Sequence, residues 1–187
     1  MPKRILMTGL LGFVTIMVWT FLANGLFRFN SSVRMNRLPD EPAVYEVLKQ
    51  HVTEPNNYTV NPQGEPGIGF PLNEPVFQVS YSGFGHEAAG RLLFVDIGIA
   101  LVSALLVALL LSMASDAVLS RYWRKVLFVV IVGAFVVVFG DLTEYGIGGF
   151  PLRSALLLGL NSLVMWTLAG LVMARFMTPG TAAAPRT

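Results

Sequence analysis

The 187-residue sequence contains no cysteine and only two histidines. The absence of cysteine excludes disulfide bonds, thiolate catalysis, iron–sulfur clusters and thiolate zinc sites. His51 and His86 both lie outside the long apolar runs, so neither can be an axial haem ligand deep within a helix bundle. The sequence therefore excludes much of membrane redox chemistry, and we predict no cofactor.

Charged residues are also scarce, at 13% of the chain against 54% hydrophobic residues, and the mean hydropathy is +0.63. This composition exceeds what a soluble core can bury and favours a membrane protein. The formal net charge is only +2, and the cations show no basic stripe, so no nucleic-acid binding is expected. Three lysines accompany ten arginines, a ratio that fits a bacterium with a GC-rich genome.

Four apolar runs are long enough to cross a hydrocarbon core of about 30 Å at about 1.5 Å per residue. The first run exceeds the core of a signal peptide and lacks a small-x-small cleavage site, so we interpret it as an uncleaved anchor. The third run has a β-branched stretch that could form a buried strand, but lipid favours a helix because its backbone hydrogen bonds close internally. The predicted transmembrane helices cover residues 5–27, 92–113, 122–142 and 152–176.

The fold class predicted from these runs is an all-α integral membrane protein with a small α+β extracytoplasmic insert between its first two helices. Most lysines and arginines near the helix ends fall on one side, which the positive-inside rule places in the cytoplasm. We therefore expect a multi-pass protein of the bacterial cytoplasmic (inner) membrane, with both termini cytoplasmic. The connecting segments are an outer cap at 28–91, a cytoplasmic loop at 114–121, an outer loop at 143–151 and a cytoplasmic tail at 177–187.

The outer cap has its own pattern of turn, helix and strand signals. Asp40 can cap a helix that runs to about His51. Residues 58–60 and 76–81 have strand character, and residues 61–69 between them are turn-forming throughout. This predicts a small helix-plus-hairpin cap, too small to bury a secure core, that leans on the helix ends or on another protein.

Three polar residues within the apolar runs are candidates for function. Asp96 lies about one turn inside the outer boundary of the second run, and an ionisable group there is a functional-site hypothesis by default. It could reach interfacial water, pair with Arg91, or act with Asn24 in a proton or cation relay. Asn161 lies deeper, in the fourth run, where polar residues more often join helices by hydrogen bonds.

A metal site in the outer cap is the alternative for an enzyme. His51, Glu54, His86 and Glu87 could converge on zinc, because a histidine and a glutamate three residues apart share a helical face. The spacing is less specific than an established zinc motif. His51 equally suits the C-terminal end of a helix, where a cation is favourable, so we predict no metal.

Small and aromatic residues predict how the helices pack. Ala100, Ala104 and Ala108 repeat every four residues and allow close approach of another helix, so we expect a packing face there. Trp166 falls in the middle of the fourth run, where we expect it to face lipid or a partner.

The layout resembles that of uncharacterised bacterial inner-membrane proteins with four helices and a small extracytoplasmic insert. The resemblance rests on the run Leu38-Pro39-Asp40-Glu41-Pro42-Ala43-Val44-Tyr45-Glu46-Val47-Leu48, on Tyr58-Thr59-Val60-Asn61-Pro62, and on the three helices that follow. It implies no assigned activity and no site residues.

The leading hypothesis for function is a non-enzymatic accessory or structural subunit of a larger membrane complex, whose partners are other integral membrane proteins and lipid. The second is a small transporter or channel, acting as a homo-oligomer, with Asp96 and Asn161 along a hydrated path. The third is an extracytoplasmic membrane enzyme built on the histidines and glutamates of the outer cap.

Overall fold

The computed structural model describes residues 2–60, 75–145 and 149–178. The chain divides into two compact units. The helical body comprises residues 1–36 and 94–187, and the insert is Arg37–Leu93. Residues 28–36, which the sequence analysis assigned to the outer cap, thus belong to the helical body.

Among the described residues, four helices are long and apolar enough to cross a membrane, and the insert contains a two-stranded sheet. This confirms the predicted number of long apolar helices and the small sheet. In chain order the helices are α1 (Pro2–Thr20, continued by a π-helical segment Phe21–Leu26), α2 (Phe29–Arg34), α3 (Glu41–His51), α4 (Ala89–Ser112, preceded by a 3₁₀ turn His86–Ala88), α5 (Asp116–Leu119), α6 (Tyr122–Val136, continued by a π-helical segment Val137–Asp141) and α7 (Leu152–Phe176).

The distribution of proline explains why the four long helices are uninterrupted. Proline lacks a backbone N–H and breaks a helix interior, but it is tolerated at or before the first turn. Pro2 is the first residue of α1, and Pro151 directly precedes α7. No proline occurs inside any of the four long runs, so each can close its hydrogen bonds from end to end.

The insert forms the helix and strands that its turn chemistry predicted. The Asp40 carboxylate accepts a hydrogen bond from the Ala43 N–H at 3.4 Å and caps α3, which ends at His51 as expected. Strands β1 (Asn56–Val60) and β2 (Phe77–Tyr81) pair antiparallel, with Tyr58 opposite Val79. The predicted turn at residues 61–69 lies outside the described residues.

The insert has almost no core. Ala88 is the only buried residue among those that the structure describes between positions 37 and 93. Tyr58 and Val79 are half-buried on one face of the sheet, and α3 has no buried residue. Burial of apolar surface is the main favourable term in folding, and the insert supplies very little of it.

The helical body is organised around α7, which packs along both α1 and α6. Small residues bring the helices close together. A Cβ placed on Gly133 of α6 would lie 2.5 Å from the Cβ of Trp166, and one on Gly170 would lie 3.1 Å from the Cβ of Val129. The core contains Val129, Ala169 and Met173, none of which has exposed surface.

The expectation that Trp166 faces lipid or a partner is wrong. Its side chain is 5% exposed and packs where Gly133 leaves room on α6. The sequence offers no pairing between positions 133 and 166, so a mid-helix tryptophan could not be assigned to an internal contact. The glycine and the tryptophan form one complementary pair in the core.

The second long helix, α4, joins the body along only half of its length. It comes close to α1 where a Cβ on Gly9 would lie 2.6 Å from Leu105 Cδ2. Ala104 and Ala108 have no exposed surface, and Ala100 packs against the same core. Residues 89–96 are all exposed, so the first half of α4 lacks the packing that holds the second half.

We predict that Gly133→Ala destabilises the chain in detergent by about 1–3 kcal/mol, because the added methyl overpacks the contact with Trp166. Gly98→Ala is the matched control, since nothing lies within 4 Å of a Cβ at that position of α4. Its free energy of unfolding should change by less than about 0.5 kcal/mol. Equal effects of the two substitutions would show that close packing at Gly133 does not determine stability.

Candidate functional site

A hydrogen bond between two side chains of the helical body joins α1 to α7. The indole N–H of Trp19 donates a hydrogen bond to Asn161 Oδ1 at 3.0 Å. Both side chains are half-buried, and the two residues are 142 positions apart in sequence. Such a bond between helices is worth about 1 kcal/mol in an apolar medium, so Asn161 acts here as a packing residue.

An apolar cavity of about 280 Å³ adjoins this pair. Its lining comes from α1, the segment that follows it, α2 and α7, and includes Trp19, Phe27, Phe29, Leu157 and Asn161. At the edge of the cavity, the Trp19 N–H and Asn161 Oδ1 are hydrogen-bonded to each other. The rest of the lining is hydrocarbon or aromatic, which suits apolar chains rather than polar solutes.

The ends of α1 and α6 widen into π-helical segments. The Phe27 N–H bonds to the Leu22 carbonyl and the Leu142 N–H to the Val137 carbonyl, each five residues back and at 3.0 Å. Asn24 and Asp141 lie in these segments, and Asn24 Oδ1 and Asp141 Oδ2 are buried atoms with no hydrogen-bond partner among the residues that the structure describes. π-helical turns often occur at functional positions.

The sequence analysis did not single out Asp141, although it falls within the predicted helix 122–142, one residue before its end. Its Cβ lies 3.8 Å from a Cβ placed on Gly159 of α7, so the packing of α6 on α7 brings it inward. An acidic residue that terminates an apolar run was the available signal.

Asp96 is exposed on α4 and forms no hydrogen bond or ion pair with the residues that the structure describes. The pairing with Arg91 does not form. The Arg91 guanidinium instead lies 4.9 Å from the centre of the Phe84 ring. No hydrogen bond joins Asp96 to Asn24, its suggested relay partner, within the described part of the chain.

The four candidate metal ligands of the insert are all exposed. A Glu87 carboxylate oxygen accepts a hydrogen bond from the Gly85 N–H at 3.2 Å, which stabilises the start of the turn before α4. Within residues 2–60, 75–145 and 149–178, no three His, Asp or Glu side chains come together as a metal site would require. His51, Glu54, His86 and Glu87 are therefore not gathered around a common point.

Polar contacts also close both ends of the helical body. At one end, Lys125 is 8% exposed, and its ammonium donates to the Met177 carbonyl at 2.7 Å. At the other, Arg34 pairs with Glu144 at 3.7 Å, and Ser154 Oγ donates to the Val33 carbonyl at 3.2 Å. The buried lysine was not predicted, because its neighbours Arg121 and Arg124 made it resemble one more surface cation.

The insert carries a cleft of about 410 Å³ between α3 and β2. Tyr45 and Lys49 line it from the helix, and Val79 and Tyr81 line it from the strand. The Lys49 ammonium lies 6.0 Å from the centre of the Tyr45 ring. Val44 and Val47 are exposed on α3 outside this lining, so apolar surface is available beyond the cleft.

The arrangement as a whole offers binding chemistry: apolar surface, interhelical hydrogen bonds and an exposed carboxylate on α4. Comparisons of the chain with protein families, with curated proteins and with solved structures found no match. Any function must therefore be argued from these contacts.

We predict that Trp19→Phe and Asn161→Leu each lower the free energy of unfolding in detergent by about 1 kcal/mol, because each removes the interhelical bond. The double variant should cost less than the sum, with a coupling energy of about 0.5–1 kcal/mol. Thr167→Val is the control, since its hydroxyl bonds only to the Leu163 carbonyl of its own helix. Strict additivity of the two substitutions would contradict the assignment.

Proposed function

We propose that the chain is an integral membrane protein that crosses the bacterial inner membrane four times. The four long helices have mean hydropathies of 1.9 to 2.7 over their most apolar stretches. Lys3 and Arg4 lie in the first turn of α1, Arg121 directly precedes α6, and Arg124 and Lys125 lie in its first turn. By the positive-inside rule these ends are cytoplasmic, so the insert lies outside.

We further propose that it serves as a non-enzymatic accessory subunit of a larger membrane complex, docking through its helix faces and the insert. The observation that carries this proposal is the missing core of the insert, where Ala88 alone is buried among the described residues. A folded unit with so little buried apolar surface gains stability when a partner covers it. Val44 (39% exposed) and Val47 (57%) on α3, both outside the lining of the cleft, provide apolar surface for such a partner.

Of the four long helices, α4 offers a partner the most uncovered apolar surface. This helix has the highest mean hydropathy of the four, at 2.7, and the smallest buried share of its apolar stretch, at 17%. Leu93, Phe94 and Ile99 are each more than half exposed. Lipid alone can cover such a surface, as can the helices of a neighbouring subunit.

The proposed topology can be tested by single-cysteine labelling, because the natural chain has no cysteine. Thr59→Cys in the insert and Ser120→Cys before α6 are both exposed positions. We expect a membrane-impermeant maleimide to label Thr59→Cys in intact spheroplasts and Ser120→Cys only after permeabilisation. The opposite pattern would invert the topology, and labelling of both in intact cells would contradict a four-span arrangement.

If the chain is an accessory subunit, detergent should extract it from the native membrane together with its partner subunits. Extraction in a mild detergent, native electrophoresis and mass spectrometry should find it in fixed stoichiometry with other integral membrane subunits. Val47→Asn should weaken this association, because it makes an exposed apolar position polar. Lys49→Gln, on the cleft side of α3, is the control.

A chain that migrates alone, or as a homo-oligomer without companions, under conditions that preserve other complexes would contradict the accessory role. The homo-oligomer would favour transport instead.

A further inference from the structure

Asp96 places a carboxylate on the first half of α4, where residues 89–96 are all exposed; we call this the bare half of α4. The residues before it, Leu92 to Val95, are apolar and exposed, so the aspartate lies more than one helical turn inside the apolar stretch. On a helix, Leu92, Leu93 and Ile99 share its face at spacings of three and four residues. They are 40%, 55% and 59% exposed, so the surface around Asp96 is apolar and uncovered on this side, whereas Ala100, one turn further along the helix, packs against the core.

Among residues 2–60, 75–145 and 149–178, no side chain forms a hydrogen bond or ion pair with this carboxylate. Its nearest cation in sequence, Arg91, lies over the Phe84 ring. A lysine or arginine in the same place could extend its long side chain to the membrane surface. Aspartate has a single methylene and cannot reach back past Leu92.

An ionisable side chain within a membrane span is costly, and such groups generally pair with one another. We propose that the face of α4 formed by Leu92, Leu93, Asp96 and Ile99 binds a membrane-spanning helix of a partner protein that carries a lysine or arginine at the depth of Asp96. The inference rests on the proposed function, since it names the chemistry of the partner that an accessory subunit would meet there.

Charge complementarity selects this occupant over lipid. An acyl chain covers leucine and isoleucine well but leaves the carboxylate without a hydrogen-bond donor. A cationic helix covers the same apolar residues and also supplies the donor. The partner's own cation gains equally, so the pairing favours this helix over neutral ones.

The test uses the full chain, reconstituted in lipid nanodiscs and carrying a fluorescent donor on Met113→Cys at the end of α4. The probe is a synthetic leucine–alanine helix of about 20 apolar residues that bears an acceptor dye. It has one lysine at the depth of Asp96, and a second probe has leucine there. We expect energy transfer to show the lysine probe binding about tenfold more tightly than the leucine probe.

Substitutions test whether the Asp96 carboxylate causes the tighter binding of the lysine probe. Asp96→Asn should abolish the preference for lysine, and Asp116→Asn, which changes an exposed acid at the first position of α5, should preserve it. Asp96→Lys should prefer a probe with glutamate at the same depth. Circular dichroism of each variant in the nanodisc checks that the helices remain folded.

Equal binding of the lysine and leucine probes to the natural chain would overturn the inference, as would a lysine preference that survives in Asp96→Asn. A natural chain that self-associates through α4 and excludes both probes would also overturn it, because the occupant would then be a second copy. If other subunits co-purify with the chain but the two probes bind equally, the accessory role holds and this face of α4 is not its docking site. If the lysine probe binds more tightly but no subunits co-purify from the native membrane, this face binds a cationic helix and the accessory role is wrong.

Discussion

Close packing along α7 holds the helical body together. In hydrocarbon, helices gain little from burying leucine against leucine, because lipid offers the same contacts, and small residues that let backbones approach become decisive. Gly133 leaves room for the Trp166 side chain, and a Cβ placed on Gly170 would lie 3.1 Å from the Cβ of Val129. The Trp19–Asn161 hydrogen bond adds a polar contact between α1 and α7. These contacts join α1, α6 and α7, whereas α4 joins the body through its second half, where Leu105 packs against Gly9 of α1.

The same principle explains where the chain is incomplete. The bare half of α4 carries no glycine or alanine contact with another helix like those along α7, and the insert buries only Ala88 among the residues described. Both regions keep regular secondary structure while presenting apolar side chains outward. In the proposed topology, α4 lies in lipid, where a helix satisfies its own backbone and persists without tertiary contacts, whereas the insert would face water and need a covering surface. This difference is why the accessory role rests more heavily on the insert.

Much of the fold was predictable because it follows from local signals. Run length and hydropathy identify the four helices, and Asp40 with Pro42 marks the start of α3. The predictions that failed concern side chains whose burial depends on contacts between residues far apart in the sequence. The burial of Trp166 requires Gly133 on another helix, and the burial of Lys125 requires the Met177 carbonyl. The π-helical turns that carry Asn24 and Asp141 leave no composition signal, so the site residues were only partly found. Asp96 was found, because an acid among leucines is visible in sequence, but its lack of a partner is a property of the structure.

If the proposed function is right, the insert acquires its stability from a partner. Hydrogen exchange of the α3 amides, Glu41–His51, measures this directly. We expect rapid exchange in the purified chain, because no residue of this helix is buried, and strong protection when the same amides are measured in the native membrane. Equal exchange in the two preparations would contradict the claim, since the insert would then be as stable alone as in company.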